Sequence, residues 1–413
     1  MEYKTPVFKK EMLKEWTVLI PNMAPVQFSI LMKAMESIGY HPVLLQNQSE
    51  NVSQLGLKYV HNDTCYPALL VIGQFLDALN SGKYDLDHTA LIISQSGGGC
   101  RASNYIKLLR KALVKAGYGN IPVASLNASG LEKDSRMPMT WGFILKAVAA
   151  INYGDLIVSL YNQTRAYEVN KGEALKYQEK WVNKVGKWMK EGKYYLPWTL
   201  KKKFEEICED FSGIELKKEK KPKVGIVGEI YVKFSPLGNN DLVDFLEKED
   251  CEVNLPGLMG YLNYCVANWI LDVDYYGGNA FTQFACKRLL AFFDKTGKDM
   301  SKAMEKYGFH GPLSFKELME KPKGILDLGT KMGEGWLLTA EMVELIEAGY
   351  PNIICAQPFG CLPNHIAGKG VINKIRSIYP EANITPVDYD PSATRVNQEN
   401  RIKLMLAVAR ENL

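Results

Sequence analysis

The sequence has few of the residues that zinc sites and charged binding surfaces require. Only five histidines occur in 413 residues, so a mixed cysteine and histidine zinc site is poorly supplied. The 50 Lys and Arg residues nearly balance 46 Asp and Glu residues, and this balance does not indicate nucleic acid or an anionic membrane as a partner. The longest apolar stretch, WGFILKAVAAINYGDLIVSLY, is interrupted by Lys146 and Asp155. It therefore favours a buried core helix over a membrane span.

Nucleotide-binding loops are also missing from the sequence. A P-loop requires G-x-x-x-x-G-K-[ST]. In CAQPFGCLPNHIAGKG, residues 355–370, Gly370 follows the Gly-Lys pair and Pro363 stands where the first glycine is required. The segment GIVGE, which begins at Gly225, lacks the third glycine of a dinucleotide fingerprint. We therefore expect the chain to bind no nucleotide itself.

The N-terminal residues bear on the cellular compartment. The segment MEYKTPVFKKEMLKEW has no apolar core and no small-residue cleavage site of an export signal. This pattern predicts a cytoplasmic protein. In a reducing compartment the eight cysteines do not favour a disulfide framework, which leaves metal binding, catalysis or simple burial.

Strand-like and helix-like segments alternate in both halves of the chain. Apolar runs that predict strands are WTVLIPNM, HPVLLQ, TALIISQ and IPVASLN in the first half, and KVGIVGEIYV, CEVNLP, PNIICAQPF and NITPVDYD in the second. Alternation of this kind predicts an α/β fold with doubly wound parallel sheets. Between the halves the composition changes to Lys, Glu, Trp and Tyr at helical spacing, ending in ELKKEKKPK, which is typical of a solvated helix face and linker. We predict two α/β domains, residues 1–164 and 224–413, joined by a charged helical segment, residues 165–223.

Four cysteines stand in loops or at helix starts, which a buried apolar side chain does not require. Cys65 follows HNDT at the start of a predicted helix, where the partial positive charge favours a thiolate. Cys100 follows a strand and a glycine loop, and Cys355 and Cys361 follow the same pattern in the second half. Such loops let backbone N–H groups approach a bound group closely. The loop glycines are Gly97, Gly98 and Gly99.

The spacing of Cys355 and Cys361 excludes two common sites. A thioredoxin-like redox pair requires C-x-x-C, and structural zinc favours two such short knuckles. Iron–sulfur ligation remains, because its thiolates can come from separate loops. Among the other cysteines, Cys208 and Cys251 are best interpreted as buried apolar side chains. Cys265 and Cys286 occupy helical positions compatible with either role.

Several motifs together resemble one protein family. These are HNDTCYP, SGGGCRASNY, GEIYVKFSPLGNNDLV, CAQPFGCLPNHIAGKG and VDYDPSATRVNQENRIKLML. They resemble the 2-hydroxyacyl-CoA dehydratase component superfamily over nearly the whole chain, and most closely its double-cubane cluster branch. The resemblance implies two Rossmann-like domains, a homodimer, and an 8Fe–9S cluster made of two bridged cubanes, each held by three cysteines.

The resemblance also implies a ligand set. Cys65, Cys100 and Cys361 match the three positions shared across the superfamily, and Cys355 matches a cysteine typical of the double-cubane branch. Cys265 and Cys286 complete six ligands by exclusion of the other two cysteines. His365 and Lys369 are candidate proton donors beside the cluster, although helix capping or an ion pair explains each equally well.

Three functions follow from this set. The first is an enzyme that reduces small molecules with electrons from a separate ATP-hydrolysing 4Fe–4S reductase of the activator type. The second is a 2-hydroxyacyl-CoA dehydratase subunit that carries one 4Fe–4S cluster on three thiolates. The third is a non-catalytic iron–sulfur electron carrier. None of the three involves a nucleic acid or a membrane.

Overall fold

Two parallel four-stranded sheets form the framework of the chain. The computed structural model describes residues 6–9, 12, 14–61, 63–95, 99–126 and 140–413. The predicted mixed α/β architecture with parallel sheets is confirmed in these residues. The strands that the apolar runs predict are present in both halves, and most of them are buried on both faces, as is usual in a parallel sheet.

The first sheet has the strand order β2-β1-β3-β4. Its strands are β1 Thr17–Ile20, β2 His41–Leu44, β3 Thr89–Ser94 and β4 Val123–Leu126. The helices of this half are α1 Pro25–Glu36, α2 Glu50–Tyr59, α3 Tyr66–Asn80 and α4 Tyr105–Ala116, with 3₁₀ turns at Leu86–His88 and Arg101–Asn104. Since all neighbours are parallel, the strand ends that precede the loops lie at one edge of the sheet.

The charged middle segment forms helices that each bury an apolar face. These helices are α6 Glu173–Glu191 and α7 Pro197–Ser212, and they follow α5 Trp141–Arg165, which is formed by the apolar stretch of the first half. Trp181, Trp188 and Phe204 lie in one buried cluster with residues of β1 and β3. The segment therefore covers one face of the first sheet, and residues 215–220 are its longest run of exposed residues.

Helix α5 meets the length and composition of a membrane span, and it is the one helix in the described ranges that does so. However, 56% of the apolar stretch is buried inside the protein. Asp155, in the middle of this helix, accepts hydrogen bonds from the backbone N–H groups of Leu258 and Met259 at 3.0 and 2.8 Å. The helix thus joins the two halves in the manner of a core helix.

The second sheet repeats the order of the first, as β6-β5-β7-β8. Its strands are β5 Lys223–Gly228, β6 Glu252–Asn254, β7 Asn352–Pro358 and β8 Asn383–Tyr389. The helices are α8 Ile230–Phe234, α9 Pro236–Asn239, α10 Leu242–Lys248, α11 Leu258–Tyr276, α12 Ala280–Lys306, α13 Phe315–Leu318, α14 Trp336–Glu347, α15 Leu362–Ala367, α16 Ile372–Ile378 and α17 Arg395–Glu411, with a 3₁₀ turn at Lys369–Val371.

One apolar cluster runs through both halves. It includes Leu19 and Ile93 from the first sheet, Ile226 and Ile354 from the second, and much of α3 between them. A continuous core of this kind holds the two sheets together through hydrophobic burial. As a result, loops at the carboxyl ends of both sheets are brought near each other.

Candidate metal centre

Three of the predicted thiols stand directly before a helix. Cys65 is the N-cap residue of α3, Cys361 is that of α15, and Cys100 precedes the 3₁₀ turn Arg101–Asn104. The first backbone N–H groups of a helix have no partner within the helix. Each sulfur is therefore placed where such groups are free to donate to it.

These three thiols lie close to one another, although they come from both halves. Burial raises the pKa of the Cys65 thiol, and the negative charges of Glu229, Cys361 and Cys100 raise it further. Charges influence each other in this way only over short distances. The Arg101 guanidinium also donates a hydrogen bond to the carbonyl oxygen of Asp63, which ties the loop of Cys100 to that of Cys65.

Two of the three sulfur atoms have a side-chain hydrogen-bond partner. The hydroxyl oxygen of Tyr105 lies 3.1 Å from Cys65 Sγ. Asn364 Nδ2 donates to Cys361 Sγ at 3.4 Å. Donors of this kind stabilise a thiolate relative to a thiol.

Two carboxyl groups, one buried and one half-buried, belong to the same region as the thiols. Glu229 is the N-cap residue of α8, directly after β5, and burial together with the charge of Glu334 raises its pKa to about 8. Glu334 accepts hydrogen bonds from the backbone N–H of Ile230 and from Asn364 Nδ2, both at 3.1 Å. The sequence interpretation did not include these groups, although Glu229 lies in the motif GEIY directly after a strand.

The donor set fits an iron–sulfur group better than a single ion. Burial raises the pKa of Cys361 to about 12, so the thiolates need a positively charged partner to persist. No three His, Cys, Asp or Glu side chains in the described ranges are close enough to hold one metal ion. In an iron–sulfur cube each thiolate binds a different iron, so the sulfur atoms are spread more widely.

The position of the site in the fold also suits ligand binding. Cys100 follows β3, Glu229 follows β5 and Cys361 follows β7. In each sheet the strand order reverses beside these strands, between β1 and β3 and between β5 and β7. Crevices at the carboxyl ends of strands beside such a reversal are the usual ligand sites of parallel α/β sheets.

Cys355 and Cys265 lie next to this centre. Cys355 lies inside β7 and not in a loop as the sequence predicted, and it is fully buried in an apolar cluster with Val227 and Met342. Burial, Asp388 and Cys361, in that order, raise the pKa of its thiol to about 12. A Cβ atom on Gly368 would lie 2.9 Å from Cys355 Sγ, so glycine is required there. Cys265 lies on α11 within reach of a hydrogen bond from Tyr261, and Tyr261 in turn senses the charge of Cys100.

The structure does not bring Cys286 to the other thiols. It packs among Met259, Val266 and Phe293 between α11 and α12, and burial alone raises its pKa. Cys208 and Cys251 are buried in apolar clusters, as the sequence interpretation has them.

The predicted proton donors occupy the rim of the site. His365 Nδ1 lies 2.9 Å from the carbonyl oxygen of Cys361, and Nε2 lies 4.0 Å from Asp388 Oδ1. Lys369 is exposed in the 3₁₀ turn after α15. The described contacts of His365 are thus to a backbone oxygen and a carboxylate oxygen. The side chains that contact the sulfur atoms are those of Tyr105 and Asn364.

The glycine loop is described only in part. Gly97 and Gly98 lie outside the described residues. A Cβ atom on Gly99 would lie 2.7 Å from Met332 Sδ. This close approach packs the loop of Cys100 against the segment that carries Glu334.

Comparisons with known proteins identify no family for this chain. No protein-family model, no curated protein and no solved structure matches this chain. The function is therefore inferred from the residues and their arrangement.

Proposed function

We propose that this chain is a cytoplasmic iron–sulfur oxidoreductase with a cluster between two Rossmann-like halves. It reduces a small molecule with electrons from a separate ATP-hydrolysing 4Fe–4S reductase, and it acts as a homodimer. The observation that carries the proposal is that Cys65, Cys100 and Cys361 each precede a helix, in segments that contact one another around Glu334. When bound, the cluster would supply electron storage and transfer at low potential.

The residues around the thiols favour a low reduction potential. Burial raises the pKa of both Glu229 and Glu334, so the pair carries less than two negative charges near neutral pH, and the buried Glu334 helps to keep water from the sulfur atoms. Negative charge and a dry surrounding both oppose the addition of an electron. A donor that uses ATP hydrolysis is the kind of partner that such a site needs, since the chain has no nucleotide loop of its own.

An 8Fe–9S double cubane is the form of the cluster that we propose. Cys65, Cys100 and Cys361 would hold one cubane, and Cys355 and Cys265 would be ligands of the second. Cys286 is the sixth cysteine of the set. It would need to approach the others, because it lies in a separate apolar cluster.

A second candidate function follows from the position of Cys286. Three thiolates suffice for one 4Fe–4S cluster, which is what a 2-hydroxyacyl-CoA dehydratase subunit needs. Under this alternative Cys265, Cys286 and Cys355 are buried side chains without a metal. The number of iron atoms per chain separates the two functions.

The division of labour with the partner leads to a prediction. The purified chain should not hydrolyse ATP, and its cluster should be reduced only when the partner and ATP are both present. The measurement is ATP hydrolysis together with electron paramagnetic resonance of the mixture, with a non-hydrolysable ATP analogue as control. ATP hydrolysis by the isolated chain, or full reduction with the analogue, would contradict the proposed division.

A further inference from the structure

The side chain of Asn364 connects a thiol to a buried carboxyl group. Asn364 is fully buried at the third position of α15. Its Nδ2 atom lies 3.4 Å from Cys361 Sγ and 3.1 Å from Glu334 Oε2. One amide nitrogen has two hydrogens, so both contacts can be made at once.

The surroundings determine which way this amide points. A ligand thiolate is an acceptor without a hydrogen, so the NH₂ group and not the amide oxygen must face Cys361. The Oδ1 atom is buried and has no hydrogen-bond partner among the described residues. Turning the amide over would place this oxygen against the thiolate and would lose the hydrogen bond to Cys361.

Glu334 is itself held in place from the other side. Its Oε1 atom accepts a hydrogen bond from the backbone N–H of Ile230, which belongs to α8 after β5. The carboxylate thus has one oxygen on the backbone and the other on Asn364. This arrangement fixes the amide by a second contact that does not involve the thiol.

We infer that Asn364 is a positioning residue that sets the reduction potential of the group bound at Cys361. The inference rests on the proposed function. The Nδ2 group of this residue donates to the sulfur of Cys361, and the same nitrogen is held in place by Glu334. Hydrogen bonds to a ligand sulfur withdraw charge from it, so they make reduction more favourable.

The test is the substitution Asn364→Leu, which keeps the approximate size of the side chain and removes its N–H donors. We expect the iron content to stay near that of the wild type and the midpoint potential to become more negative. At a fixed applied potential the ratio of reduced to oxidised cluster should fall about tenfold, which corresponds to about 59 mV for one electron. Redox titration followed by electron paramagnetic resonance measures this change.

The direction of the change separates this role from a structural one. Loosening of the site would admit water, and water makes reduction easier, so the potential would rise. Asn364→Ser keeps a hydroxyl donor and should lie between Asn364→Leu and the wild type. The matched control is Asn383→Leu, which removes an amide that donates to Asn352 and Met405 without reaching a thiol, and it should leave the potential unchanged.

Each outcome decides the matter. A potential that is unchanged or raised in Asn364→Leu overturns the inference, and so does loss of iron from both Asn364 variants while the control keeps it. If Asn364→Leu loses iron and Asn364→Ser keeps it, the potential of Asn364→Ser decides. A potential of this variant that is unchanged or raised relative to the wild type overturns the inference. A wild-type chain that binds no iron contradicts the proposed function, whereas a loaded wild type with an unmoved potential in the variants contradicts this inference alone.

Discussion

Replacing any one of Cys65, Cys100 or Cys361 with serine is expected to remove most of the bound iron. The three sulfur atoms come from different loops, and no described carboxylate is near enough to form a metal-binding group with two of them. A serine hydroxyl does not ionise at neutral pH and is a poor ligand for iron. Iron and acid-labile sulfide per chain, measured after anaerobic purification, give the result.

Cys208→Ser is the matched control for this experiment. Cys208 is fully buried on α7 among Leu200, Phe204 and Phe211, where its pKa is raised to about 12 by burial. This variant should keep the full iron content even if its stability falls. Full retention of iron in two of the three ligand variants would refute the assignment of those thiols.

Lys233→Met is expected to destabilise the chain by about 3–5 kcal/mol. Lys233 and Glu341 are both buried, and Lys233 Nζ lies 2.9 Å from each carboxylate oxygen of Glu341. Removing the ammonium group leaves a carboxylate in an apolar surrounding without a counter-charge. Burial raises the pKa of Glu341, whereas the charge of Lys233 lowers it. The loss of stability in Lys233→Met should therefore be smaller at a pH low enough to protonate the Glu341 carboxyl group.

The double variant Lys233→Met with Glu341→Leu tests the cause of this loss. Exchanging both members of a buried ion pair for apolar side chains is often neutral or stabilising. We therefore expect the double variant to regain most of the free energy of unfolding in urea denaturation. If it is no more stable than Lys233→Met alone, the loss comes from disturbed packing and the interpretation through an uncompensated charge is wrong.

The sheets could be predicted from the sequence because their strands are buried on both faces. The run TALIIS has four consecutive apolar residues between Thr89 and Ser94, and it is β3 in the structure. The buried faces of α6 and α7 were harder to recognise. Lys184 and Lys203 lie over the rings of Trp181 and Trp188, so their charges conceal an apolar face in the sequence.

The thiols could be selected by their place at strand ends and helix starts, whereas their neighbours could not. Glu334 lies between two glycines in an irregular segment, and a lone glutamate there has no pattern that marks it as buried. The sequence around Asn364 is likewise typical of an ordinary helix residue. Their contacts arise only when the segments after β5, β7 and α13 meet, which depends on the tertiary fold.

The number of iron and sulfide ions per chain tests the central claim most directly. Protein purified under strict exclusion of oxygen should contain about eight iron atoms per chain, with an electron paramagnetic resonance spectrum that differs from that of a single 4Fe–4S cluster. About four iron atoms with an ordinary 4Fe–4S spectrum would contradict the double cubane and favour the dehydratase alternative. A chain without iron or sulfide would contradict an iron–sulfur centre at Cys65, Cys100 and Cys361.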